Sequence, residues 1–188
     1  YSKSSPLLLQ HSESIRQRYP EFPSVFFTFH IREGNVGINS SELGRNSDIN
    51  LFKEVICWIL KNGIGVVRLG DQSMKPLDMS DSKLIDLPFT SIRSPIDDLY
   101  FLSNSSLHIG SQSGPLDTAG MFHTPLILAG AVAPAFSTFL PYLQSLYLPK
   151  YWIHRTTGSP VPLSVWMSSP KMSSSEYRQW HSYVVHRL

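Results

Sequence analysis

The stretch Val25-Phe26-Phe27-Thr28-Phe29-His30-Ile31 constrains the fold more than any other part of the chain. Apart from Thr28 and His30, every residue in it is β-branched apolar or aromatic. A strand with one wet face alternates apolar and polar residues. A nearly continuous apolar run instead suits a strand covered on both faces, as in a parallel sheet packed between helices. A second such run, residues 64–69, ends at Gly70-Asp71. Between the two lie a Gly- and Asn-rich loop from Gly34 to Ser47 and a segment, residues 49–62, with Phe52, Val55, Ile56, Ile59 and Leu60 at helical spacing. Asp48 is placed to cap that helix and Gly63 to end it. Strand, helix, strand is a βαβ unit.

The pattern continues downstream. Residues 83–87 suit a short third strand, and Ser94-Pro95-Ile96-Asp97 has the cap and first-turn proline of a helix start. That helix is expected to run to about Asn104. Leu107-His108-Ile109 reads as a strand ending in Gly110-Ser111-Gln112-Ser113-Gly114, Pro115 opens a further helix, and residues 125–129 supply another strand. The expected class is therefore α/β, a Rossmann-like and mostly parallel sheet with helices on both faces. Residues 1–24 read as an N-terminal arm or lead-in helix, and residues 25–188 as one domain. Beyond Gly130 the composition shifts toward Pro, Tyr and Ser. Residues 174–188 are expected to form a closing amphipathic helix, with Tyr177, Trp180, Tyr183, Val184 and Leu188 on its apolar side.

Composition removes several classes of function. With 41% hydrophobic and 16% charged residues, 188 residues make a core-forming chain and not a disordered one. No uninterrupted apolar run approaches the ~18 residues of a membrane-spanning helix. A formal charge of +2 is too mild to point to nucleic acid as a partner. The single cysteine, Cys57, excludes an intramolecular disulfide framework and a multi-cysteine zinc site, and its place in a helix suggests a core thiol. The histidines show no His-x-x-x-His spacing, so no metal is expected. With Tyr1 first and no signal-peptide pattern, the chain reads as a fragment, a processed product or a trimmed form, with the cytoplasm as the expected location and the inner-membrane periphery as the alternative.

In open α/β sheets a ligand lies beyond the carboxyl ends of the strands, where strand order reverses. The sequence sends His30, Arg32 and Glu33 there from the first strand, and Arg68, Gly70 and Asp71 from the second. The later strand brings Gly110 to Gly114, and the first loop Arg45, Asn46, Ser47 and Asp48. The turn from Gly110 through Ser111, Ser113 and Gly114 combines glycines, hydroxyls and a helix start, which suits a phosphate. It is neither G-x-G-x-x-G nor a Walker loop, and a tight strand-to-helix turn capped by Ser113 is the competing reading. Arg32 offers a planar fork for a pyrophosphate, or else a salt bridge to a carboxylate. A core position competes for His30, an ion pair for Arg68, and a helix cap for Asp48. Asp71 and Asp97-Asp98 read as ordinary solvated carboxylates.

Taken in order, the motifs form a recognisable series. It comprises His30-x-Arg32, Arg45-Asn46-Ser47-Asp48-Ile49, Arg68-Leu69-Gly70-Asp71, Met74-Lys75-Pro76-Leu77, Ile109-Gly110-Ser111-Gln112-Ser113-Gly114, Thr124-Pro125 and Leu148-Pro149-Lys150. Over residues 25–166 the chain resembles a family of bacterial glycosyltransferases of the GT-B type found near polysaccharide-assembly genes. The resemblance implies two Rossmann-like domains facing across a cleft, with the nucleotide-sugar donor in the C-terminal one and no essential metal or other cofactor. This chain would be that C-terminal half, lacking the N-terminal domain, with a glycan or other acceptor as second substrate. The His-x-Arg element also resembles that of fucosyltransferases, which implies that Arg32 meets the donor diphosphate and serves catalysis. Ser113 and Gly114 match the helix-start position that contacts phosphate. On this reading Arg45 is expected as a further phosphate or sugar contact, and His30, Asp48, Arg68 and Asp71 as sugar or supporting contacts. At the phosphate turn, Ser111-Gln112-Ser113 departs from the family's aspartate-rich or glycine variants. A sugar-nucleotide epimerase on the same architecture, or a non-catalytic module binding a nucleotide or a protein, are the alternatives.

Overall fold

A computed structural model describes residues 5–33, 46–131, 145–154, 156–160, 162, 164 and 183–186. Helix α1 (Pro6–Arg18) precedes strand β1 (Phe26–His30). A 3-10 turn (Ile49–Phe52) leads into α2 (Lys53–Lys61), followed by β2 (Gly65–Arg68) and β3 (Leu84–Asp86). A second 3-10 turn (Leu87–Phe89), α3 (Pro95–Asn104), β4 (Leu107–Gly110), α4 (Gly114–Met121) and β5 (Leu126–Ala131) complete the predicted alternation. Strands β6 (Ser145–Pro149), β7 (Tyr151–His154) and β8 (Tyr183–His186) come last.

Six strands form one parallel sheet in the order β3-β2-β1-β4-β5-β6, the Rossmann order. Period-two alternation divides its side chains between two apolar layers. Phe26, Val67, Leu69, Leu126 and Leu128 pack under Leu8 and Ile15 of α1, Phe101 and Leu102 of α3, and Leu116 and Ala119 of α4. Phe29, Ile31, Val66, Ile109 and Ala129 pack under Ile49 and, from α2, Ile56, Ile59 and Leu60. The continuous apolar runs are thus explained, since helices cover both faces.

Local signals act where the sequence puts them. Asp48 accepts a hydrogen bond from the Asn50 amide at 3.0 Å, capping the 3-10 turn with which this helix begins. At the far end of α2, Gly63 has φ +78°. The Gly63 amide donates to the Leu60 carbonyl and the Ile64 amide to Ile59, the paired bonds of a Schellman cap. Ser94 and Asp97 form the reciprocal capping box of α3.

Several expectations need correction. Cys57 is exposed, not buried in the core. Val55 is exposed as well, because the inward stripe of α2 is Ile56, Ile59 and Leu60, which turns positions 55, 57 and 58 outward. Tyr183–His186 is a strand antiparallel to β7, not the end of a helix. Its Tyr-Val-Val core favours extended backbone, and Tyr151–His154 supplies a partner that helical spacing cannot reveal. The remainder of the expected closing helix, residues 174–182 and 187–188, lies outside the described residues. β6 adds an edge strand beyond the expected ones, and none of its residues is fully buried, so it lacks the covered apolar run that marks the inner strands. Asp97 is fully buried, where a solvated carboxylate was expected. Arg18 holds it at 2.6 and 2.9 Å, His11 at 2.5 Å, and the Ser94 amide at 3.0 Å. These bonds dock α1 onto α3.

Candidate functional site

β1 is the point at which strand order reverses. The chain proceeds through β2 and β3 on one side of it and through β4, β5 and β6 on the other. The carboxyl ends of β1 and β4, where His30 stands opposite Gly110, therefore border the crevice in which such sheets hold ligands.

The end of β1 is clipped to the turn after β4. The Ser111 amide donates to the His30 carbonyl at 3.0 Å, and the Arg32 amide donates to Ser111 Oγ at 2.7 Å. Ser111 is fully buried, so its hydroxyl holds the two strand ends together. Ser113 stands at the start of α4, but its hydroxyl makes no cap to that helix. It donates instead to the Ser111 carbonyl at 2.9 Å and meets His30 Nδ1 at 2.8 Å. This replaces the expectation of a Ser113 cap: a side chain 83 residues away in sequence competes for the hydroxyl and wins it.

Anion-binding capacity at this point lies mainly in the backbone. The amides of Leu116 and Asp117 donate to the Ser113 carbonyl, and Pro115 has none to offer. Those of Ser113 and Gly114 have no acceptor among the described residues. Gly114 is exposed, and a β-carbon added there would meet no atom within 4 Å, so a ligand can approach the backbone closely. The two amides stand at the positive end of α4. Gly110 is different, because a β-carbon there would lie 2.6 Å from His108 Nε2. Its missing side chain makes room for a buried imidazole, not for a ligand.

Arg32 follows directly. Half-buried, it is fixed on both sides of its peptide, with its amide on Ser111 and its carbonyl accepting from the Ser47 amide at 2.9 Å. Its charge lies near enough to His30, two residues back, to help disfavour the protonated ring. Asp48 sits in the segment that this carbonyl anchors, with its carboxylate used at the 3-10 turn. Arg45 lies outside the described residues.

Arg68 is fully buried. It pairs with Glu33 Oε2 at 2.8 Å and with Asp86 Oδ1 at 3.1 Å, while Asp86 Oδ2 also accepts from the Leu77 amide at 2.9 Å. Glu33 accepts from the Ile49 amide at 3.1 Å as well. Of the two readings of Arg68, this geometry gives the ion pair, and the pair ties together the carboxyl ends of β1, β2 and β3. Asp71 closes a turn by accepting from the Ser73 amide at 2.7 Å, and hydrogen bonds from Ser73 hold its carboxyl below the usual range. Gly70, with φ +145°, lets this turn fold tightly against Met74.

Sequence reasoning missed the roles of four residues. Glu33 and Asp86 position Arg68, and nothing in a linear sequence pairs residues across two strand ends. Lys150 is buried after β6, and its Nζ donates to the Asn46 carbonyl at 2.5 Å. His108 is fully buried, with Nδ1 2.9 Å from Thr28 Oγ1, which in turn donates to Ser105 Oγ at 3.2 Å. Burial, with a smaller contribution from His30, pushes His108 down to about 3. The available signal was the position of Thr28, His30 and His108 as polar interruptions of otherwise apolar strands.

The fold and this site define a Rossmann-like domain with an anion-receptive turn and an arginine at its switch point. No family model matches the chain, and no curated protein matches it. Among solved structures it is similar to the UDP-GlcNAc 2-epimerase from Methanocaldococcus jannaschii, at 11% identity and a TM-score of 0.46, over 73% of this chain. The match spans 39% of that structure's length. Among the described residues, no helix is long and apolar enough to cross a membrane.

Proposed function

We propose that this chain is the donor-binding part of an enzyme that uses a nucleotide sugar, and that the reaction is glycosyl transfer in polysaccharide or glycan synthesis. One observation carries the reading: Arg32 and the unengaged amides of Ser113 and Gly114 border the same crevice at the switch point of the sheet. In glycosyl transfer the bond between the sugar's anomeric carbon and the diphosphate breaks as the acceptor oxygen bonds to that carbon. Negative charge then gathers on the departing nucleoside diphosphate. A guanidinium carried on an anchored peptide, beside two amides held at a helix start, would stabilise such charge. Arg32 is the catalytic residue of this reading, Ser113 and Gly114 bind phosphate, and Ser111 holds the turn in shape. Arg45 remains a proposed phosphate contact and Asp71 a proposed sugar contact. A second domain carrying the acceptor would close the cleft, and no metal is required where Arg32 meets the diphosphate.

Calorimetric titration with UMP, UDP, GDP and ADP tests the reading. Arg32→Ala should weaken binding of the preferred diphosphate about 10- to 100-fold, the worth of a charged hydrogen bond. Ser113→Ala should cost less, since the amides remain, and Arg32→Lys should restore only part of the loss because a point charge replaces a fork. Chelator should change nothing. Unchanged diphosphate affinity in a folded Arg32→Ala variant would remove Arg32 from the site. Product analysis with nucleotide sugars and the full-length protein then separates transfer from epimerisation.

A further inference from the structure

The side chain of His30 is held in one tautomer by a chain of hydrogen bonds. The Ser113 hydroxyl has one proton, which it gives to the Ser111 carbonyl at 2.9 Å. Toward His30, 2.8 Å away, Ser113 Oγ is therefore an acceptor, and His30 Nδ1 must be the donor. That leaves Nε2 with a lone pair and no hydrogen. Among the described residues Nε2 has no hydrogen-bond partner, and it is not among the buried polar atoms lacking one, so it keeps some exposure at the strand end that borders the crevice. The ring is otherwise enclosed, with 7% of the residue exposed.

The charges around the ring favour its neutral form. Burial first, then the Arg68 guanidinium, and also Arg32, push His30 down to about 4 against an upward pull from Asp71. His108, the other imidazole near it, is neutral as well. Near neutral pH the diphosphate of a nucleotide sugar carries no proton, so a bare nitrogen would repel its oxygens. Such an acceptor binds a neutral donor, and hydroxyls are the most numerous of these on a nucleotide sugar.

We infer that His30 Nε2 accepts a hydrogen bond from a hydroxyl of the bound nucleotide sugar, making His30 a specificity-determining residue for a hydroxylated donor and not a phosphate ligand. The inference rests on the donor-binding reading above. Ser113 is then a positioning residue: its amide faces the phosphate while its hydroxyl sets the tautomer that reads the sugar. The hydroxyl belongs either to the ribose or to the transferred sugar, and the chemistry is the same for both.

The experiment pairs two substitutions with deoxy ligands. His30→Asn sets an amide nitrogen near the place of Nδ1, keeping the contact with Ser113 and deleting the acceptor. His30→Gln sets an amide oxygen near the place of Nε2, keeping the acceptor. Folding of both variants is checked by urea denaturation. Affinities are measured for UDP-glucose, GDP-mannose and ADP-glucose, and for the best of these with a 2′-deoxyribose or with 2-deoxyhexose in place of the sugar. The native chain should lose about tenfold on one of the two deoxy ligands, the worth of one hydrogen bond at the upper end of its usual range. The ligand that loses affinity tells ribose from hexose. His30→Asn should bind the parent ligand about tenfold more weakly and show no further loss with the deoxy form, while His30→Gln should recover part of it. Affinity for the nucleotide sugar should stay flat from pH 6 to 8, with no proton taken up on binding. Native-like binding by His30→Asn, indifference of the native chain to both deoxy ligands, or proton uptake on binding would overturn the inference while leaving diphosphate binding in place. If the native chain binds none of the three nucleotide sugars, both readings fall.

Discussion

Gly110 shows how one missing side chain shapes the site. The imidazole of His108 lies against its α-carbon, and a β-carbon would stand 2.6 Å from Nε2 and 3.4 Å from the His30 carbonyl. His108 cannot swing away, because it is fully buried and tied to Thr28. Gly110→Ala should therefore destabilise the fold by about 1–3 kcal/mol, the usual cost of overpacking. If the collision with His108 is the cause, most of that penalty should vanish in a His108→Ala background. Urea unfolding of the four proteins in a double-mutant cycle measures the coupling. Equal penalties in both backgrounds would assign the cost to the backbone instead.

At the level of elements, the docking of α1 rests on a few polar contacts. Leu8 and Ile15 are its buried apolar residues, while Arg18 and His11 converge on the fully buried Asp97 of α3. Burial alone would raise Asp97, yet hydrogen bonds from Arg18, Ser94 and His11 bring it down to about 2. Asp97 also completes the α3 capping box, so one carboxylate joins a helix start to a helix–helix contact. Arg18→Ala leaves that buried charge short of its main partner and should cost about 3 kcal/mol. Asp97→Asn, which removes the charge but keeps an acceptor, should cost less. Urea midpoints rank the two, and faster hydrogen exchange across Pro6–Arg18 in Arg18→Ala would show that α1 is the element released. The reverse ranking would mean that the charge of Asp97 matters more than its pairing.

Acid sensitivity belongs to the whole molecule. His30 and His108 titrate in the folded chain at about 4 and about 3, well below the 6.5 of a free histidine. Between those values the unfolded chain binds protons that the folded chain refuses. Stability should thus be highest above about pH 6.5 and fall as pH drops toward 4, by about 1.4 kcal/mol per pH unit for each histidine. Asp97 adds to the same acid sensitivity at lower pH. Its carboxyl is depressed in the fold, so its contribution is complete above the ordinary carboxylate value of 3.8 and is lost as pH falls through about 2. Unfolding free energies at several pH values should show the loss beginning near pH 6, before carboxylates titrate. His108→Asn, which keeps a donor for Thr28 and cannot ionise, should flatten that slope even if it lowers stability at pH 7. A slope unchanged by the substitution would remove His108 from the account.

The sequence by itself determined what is local. The run at residues 25–31 required a strand covered on both faces, and the Ile56, Ile59 and Leu60 stripe required a helix. The Ser94–Asp97 box and Gly63 set helix ends from within a few residues. The alternation of these elements was enough for the class of fold and for a set of three candidate strand ends, of which the strand order singles out those of β1 and β4. Only the tertiary structure decided what each polar group in that crevice does. Ser111 looked like a ligand donor until β1 and β4 became neighbours and its hydroxyl met the Arg32 amide. Ser113 gave up its helix to orient His30, Arg68 took Glu33 and Asp86, and the carboxylate of Asp97 went inside. The Tyr-Val-Val segment near the end took strand form because β7 stood beside it. Periodicity is a property of a short stretch of backbone, whereas a hydrogen bond depends on which strands adjoin, and that is fixed only when the chain closes on itself.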